Sequence, residues 1–86
     1  MYYLIKNYLQ NIQKDDINNF ALKKSINLTE EELEFTYNFI KKNYDEILKN
    51  PTLFNIDLYK DKYNPTTFEQ IKKVYIEYLS KYQRFL

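Results

Sequence analysis

No glycine occurs anywhere in the 86 residues. Left-handed helix caps and two-residue hairpin turns ordinarily take Gly or Asn, because other residues meet their own Cβ there. A chain without Gly is steered away from tight β-hairpins and toward helices joined by short polar loops. Asn27, Asn43 and Asn50 stand where helices could end in the conformation that Gly usually provides. No run shows clean strand alternation; Leu53-Phe54-Asn55-Ile56-Asp57-Leu58 alternates in part.

Helix starts are legible along the chain. Asn64-Pro65 and Asn50-Pro51 each place a capping residue before a proline whose missing N–H would have no intrahelical partner. The residue before proline also avoids helical geometry, so both pairs mark boundaries. Leu28-Thr29-Glu30-Glu31-Glu32-Leu33 reads as a capping box: the Thr29 hydroxyl accepts the Glu32 N–H, the Glu32 carboxylate accepts the Thr29 N–H, and Leu28 staples Leu33.

Apolar periodicity fills in the helices. The first covers about Tyr2 to Ile12 through Ile5, Tyr8, Leu9 and Ile12. Asp15 or Asp16 caps a second that ends near Lys24, with Ile17, Phe20 and Ala21 inward. The third follows Thr29 through Leu33, Tyr37, Ile40, Tyr44, Ile47 and Leu48, with a possible bend at Asn43. A less regular fourth segment runs from Pro51 to about Lys62. The last helix starts at Pro65 and carries Phe68, Ile71, Tyr75, Tyr78 and Tyr82 on one stripe. Such helices do not persist singly in water, so they must share a core.

The expectation is one all-α domain over residues 1–86, a compact bundle of four or five short helices. Its core is expected from Ile5, Leu9, Ile12 and Phe20, then Leu33, Tyr37 and Ile40, and finally Phe68, Ile71, Tyr75, Tyr78 and Leu79. With ten Tyr and six Phe in so small a domain, many rings should sit at the edge of a thin core with hydroxyls in water.

The order of these features is similar to that of a known family. An opening helix is followed by DDINNFALKKSINLTEEELEF, a longer helix, and YNPTTFEQIKKVYIEYLSKY at the end. This resembles the YqfT-like family of small helical proteins of low-GC Gram-positive bacteria, over nearly the whole length. The resemblance implies a bacterial, all-helical protein and carries no activity, cofactor or site residue. The family typically has a basic, Gly-containing turn after its middle helix, where Asn43 to Asn50 here reads as more helix.

Chemistry is thinly represented. His and Cys are absent along with Gly, which removes the usual general base, the thiolate and the phosphate-cradling loop. Asp15-Asp16 and Asp45-Glu46 could hold a hard cation, but a helix cap and a solvated face account for them more simply. No enzyme, cofactor or metal is expected. The start of the chain has no signal-peptide pattern and no run is long enough to span a bilayer, so a cytoplasmic protein is expected.

Binding remains. A helix-turn-helix reading of Asp16 to Lys42 fails on sign, because Glu30, Glu31, Glu32 and Glu34 would face phosphates. Two surfaces are left. A protein partner, or a second copy, could dock on the last helix through Lys72, Lys73, Tyr82, Arg84 and Phe85. Alternatively, Lys23, Lys24, Lys41, Lys42, Lys72 and Lys73 could converge into a weak nucleic-acid strip beside Tyr rings. A lysine pair on a helix is ordinarily just a solvated face, and a net charge of +1 gives no global pull on nucleic acid. The expectation is therefore a non-enzymatic protein–protein interaction module.

Overall fold

The computed structural model describes residues 2–83; the side chains of Tyr2, Thr52, Tyr82 and Gln83 are outside that description. Arg84 and Phe85, expected on a docking surface, therefore lie outside the described residues. Those residues form an all-α globule without strands: α1 (Tyr2–Gln10), α2 (Lys14–Lys23), α3 (Glu30–Lys49), two 3-10 segments (Pro51–Leu53 and Ile56–Lys62) and α4 (Pro65–Gln83).

α1 stops at Gln10, two residues before the expected end. The Asn11 side-chain amide donates to the Asn7 carbonyl at 2.8 Å, competing with the backbone for that acceptor. Ile12 lies beyond the helix yet is buried. Neither Asp15 nor Asp16 is the cap of α2. Gln13 holds that position, and its backbone N–H donates to Asp16 Oδ2 at 2.9 Å, so the aspartate caps from inside the first turn.

The end of α2 supplies the turn that would ordinarily take glycine. Ser25 has φ 61°. The Ser25 N–H reaches the Leu22 carbonyl at 3.0 Å, and the Ile26 N–H reaches the Ala21 carbonyl at 2.8 Å. This is a Schellman ending with its usual apolar contact, because Ala21 and Ile26 are both buried. The left-handed residue is Ser25, not Asn27 as expected. Asn43 lies within an unbroken α3, and Asn50 ends α3 with negative φ.

α3 is the central element, with α1 and α2 packed along it. Lys41 Nζ donates to the Gln10 carbonyl at 2.6 Å, and Lys6 pairs with Asp45 at 3.3 Å. The other side of α3 meets the 3-10 segments through rings. Phe39 sits 4.7 Å from Tyr59, 5.3 Å from Phe54 and 6.0 Å from Phe35, centre to centre. Periodicity assigned α3 a single inward stripe and left Phe35 and Phe39 out of the core; the helix is covered on two sides.

Residues 51–62, the less regular fourth segment, are helical only in the 3-10 form. They make two short 3-10 turns broken at Phe54 and Asn55. The Asn55 side chain accepts the Asp57 N–H at 3.1 Å, starting a fresh turn in place of continuing the first.

α4 begins as expected. Asn64 Oδ1 accepts the Thr66 N–H at 3.0 Å, with Pro65 as the first helical residue. Its stripe is less deeply buried than expected. Phe68 is enclosed, whereas Tyr78 is 45% exposed and its neighbour Phe20 38%. None of the described side chains is wholly shut away from solvent.

Candidate binding surfaces

Polar groups concentrate where α3 and α4 begin. Glu32 is buried. Its Oε1 accepts the Thr29 N–H at 2.9 Å, completing the capping box, and its Oε2 accepts the Asn64 N–H at 2.8 Å. One carboxylate thus serves the N-cap of two helices and faces the positive end of both. Thr36 Oγ1 donates to the Glu32 carbonyl at 2.7 Å, so the 2.6 Å contact between Thr36 and Tyr63 hydroxyls has Tyr63 as donor. Burial raises the Tyr63 phenol above its ordinary value, and the nearby Glu32 charge adds to it. Every polar group in this cluster has a partner, which is the pattern of a structural joint.

The lysine pairs stand on three different helices. Lys23 and Lys24 end α2, Lys41 and Lys42 lie midway along α3, and Lys72 and Lys73 are on α4. Lys41 is committed to the Gln10 carbonyl and stands 5.6 Å from the centre of the Tyr37 ring. Lys72 pairs with Asp57 at 2.8 Å, a contact that raises the lysine pKa. Lys23, Lys42 and Lys73 are exposed. Around Lys72 and Lys73 the α4 surface also carries Glu69, Gln70 and an exposed Ile76. Of the other residues expected on that surface, the side chain of Tyr82 and all of Arg84 and Phe85 lie outside the described residues.

A groove missed by sequence reasoning lies beside the 3-10 turns. Leu53 and Leu58 are 79% and 75% exposed on its lips. Its floor is Phe39, Ile47, Phe54 and Tyr59, and its edges carry Asn43, Asn50, Asn55 and Glu46. The volume is about 230 Å³. The two leucines belong to turns with no 3.6-residue repeat, so periodicity could not say which way they point.

Two further cavities lie beneath α4. The first, about 460 Å³, is bounded by α1, α2, α3 and α4, with Ile12, Ile17, Ala21 and Ile26 at its back and Tyr8, Phe20 and Tyr78 toward solvent. The second, about 420 Å³, lies between α3, the 3-10 segments and α4. Leu9, Thr36, Ile40, Ile71, Val74 and Tyr78 line both. Next to the first, the Phe20 and Tyr78 rings stand 5.7 Å apart. Lys24 Nζ lies 6.0 Å from the one ring centre and 5.6 Å from the other, and Lys81 Nζ lies 5.7 Å from Tyr78.

No protein-family model matches the chain, and no curated protein or solved structure matches it. Among the described residues no helix is long and apolar enough to cross a membrane.

Proposed function

We propose that this protein is a non-enzymatic interaction module that docks a protein partner on the groove edged by Leu53 and Leu58. The observation that carries this reading is the outward presentation of two neighbouring leucines. Each leaves most of its apolar side chain in water, where burial against a partner would contribute roughly 1.5–3 kcal/mol. The composition around them fits an interface, with an apolar centre formed by the leucines and Phe54 and a polar edge formed by asparagine amides and Glu46. Residues 51–62 are held to the body by the Phe39 ring contacts and by the Tyr75 hydroxyl, which donates to the Pro51 carbonyl at 3.1 Å. The groove is therefore formed before a partner arrives.

This reading moves the docking surface away from Lys72, Lys73 and the last helix. Self-association through the same leucines is the simplest special case. Membership of the YqfT-like family is part of the proposal; the helix order and the Thr29 and Asn64-Pro65 starts support it. Nucleic-acid binding has less support, because Lys41 and Lys72 are each committed within the fold.

The test uses the full chain as bait in a cell lysate, beside a Leu53→Asp/Leu58→Asp variant, with light scattering over a range of concentrations. A protein recovered by the wild type and lost by the variant, or a wild-type dimer that the variant abolishes, is expected. Identical recovery by both baits, together with a monomer mass at every concentration, would remove the proposal. A labelled single strand titrated at two salt concentrations separates the nucleic-acid reading, whose affinity must fall steeply with salt.

A further inference from the structure

The two cavities beneath α4 go beyond a protein-docking role. Here about 460 Å³ and about 420 Å³ adjoin, divided by side chains that line both. Each is within the size range of small-molecule sites, roughly 300–1,000 Å³. The first has almost no polar wall. Thr36 spends its hydroxyl on the Glu32 carbonyl and on Tyr63, and Asp16 is engaged by the Gln13 N–H. Water in such a cleft would find few polar partners, whereas an apolar guest would gain dispersion contacts along its walls.

Shape and charge narrow the guest. Two chambers that share Leu9, Ile40, Ile71 and Val74 as a partition suit a thin, flexible chain better than a rigid ring system. The solvent end of the first chamber lies at Phe20 and Tyr78, and Lys24 Nζ stands over both rings there. Among the described residues Lys24 has no ion-pair partner, whereas Lys81 on the same ring is shared with Glu77 at 3.3 Å. The one carboxylate on the chamber wall, Asp16, is eight residues from Lys24 along α2, about 12 Å at the helical rise. An anionic head at Lys24 is therefore far from it.

We propose that the cavities beneath α4 bind one long-chain fatty acid, its acyl chain passing from the first chamber toward the second and its carboxylate resting at Lys24.

Hexadecanoate below its aggregation concentration is titrated into the full-length protein and followed by native mass spectrometry and calorimetry. Hexadecanol and hexadecyltrimethylammonium serve as neutral and cationic comparisons. A one-to-one complex with hexadecanoate is expected, with a higher melting temperature. Lys24→Glu, an exposed change, should weaken hexadecanoate at least tenfold and leave hexadecanol unchanged. Val74→Phe fills the partition and should abolish both, with the helical circular dichroism intact. Absence of a complex with the wild type would overturn the proposal. So would binding that neither variant alters, or equal affinity for the cationic chain. Sedimentation with anionic phospholipid vesicles but no complex with the free acid would also overturn it, assigning the site to a membrane surface. None of these variants touches Leu53 or Leu58, so failure here leaves the protein-partner test unaffected.

Discussion

The Glu32 carboxylate accepts the backbone N–H of Asn64 at 2.8 Å while its other oxygen closes the capping box with Thr29. A buried carboxylate is expensive unless its lone pairs are filled. Here two backbone donors and two helix N-termini compensate it, and among the described residues no cation pairs with it. Glu32→Ala would strip a partner from two N–H groups at once. At roughly 1–3 kcal/mol for each donor left unpaired, the expected cost is about 2–6 kcal/mol. Glu32→Gln keeps a single acceptor and should cost about half as much. Urea unfolding of the three proteins checks the order; an alanine variant with the wild-type midpoint would refute the joint.

Alkaline unfolding should report Tyr63. Burial holds its phenol above the ordinary value near 10, and Tyr75 is raised for the same reason. The unfolded chain releases these protons first as pH rises. The stability contributed by the neutral phenols is therefore whole below about pH 10 and falls as pH climbs toward the folded values. Tyr63→Phe should lose about 1 kcal/mol at pH 7 with the Thr36 hydrogen bond, and decline less steeply above pH 10. Melting temperatures between pH 7 and 11 decide it; parallel curves would argue that Tyr63 is not shielded.

Ser25 occupies the left-handed region without being glycine. That conformation costs an ordinary L-residue roughly 1–2 kcal/mol; glycine avoids this, but its greater freedom when unfolded offsets part of the gain. Ser25→Gly should stabilise the protein by about 0.5–1 kcal/mol, and Ser25→Val should destabilise it. A thermal melt in which the glycine variant is the less stable would contradict the φ assignment.

Phe39 meets three other rings. Its removal should be felt where residues 51–62 attach. Phe39→Ala is expected to cost about 3 kcal/mol, near the lower end for a large aromatic because the site is part exposed. Backbone amides of the 3-10 segments should then exchange faster with deuterium than those of α1. Uniform acceleration along the chain would show that the segment does not open by itself.

The sequence announced its helix starts better than its surfaces. Thr29-Glu30-Glu31-Glu32 and Asn64-Pro65 were readable because each is a local arrangement of a side chain and a backbone group three residues away or fewer. The second role of Glu32 was hidden, since its partner lies 32 positions later. Phe35 and Phe39 escaped because a stripe is defined by one inward face, and α3 has two. The 51–62 stretch escaped for a different reason. Short 3-10 turns have no repeat long enough to detect, so the exposure of Leu53 and Leu58 could be learned only from their placement. Spacing puts Phe20 and Tyr78 in the interior, yet both rings stand at its threshold beside Lys24.

The double duty of Glu32 bears on how this architecture can vary. It fastens Asn64 to the beginning of α3 whatever path the chain takes between Lys49 and Tyr63. Added residues in that path raise the entropy of closure only slowly. Lineages descended from such a protein are thus free to lengthen or shorten that excursion, and with it whatever Leu53 and Leu58 engage, while the anchorage of the final helix stays put.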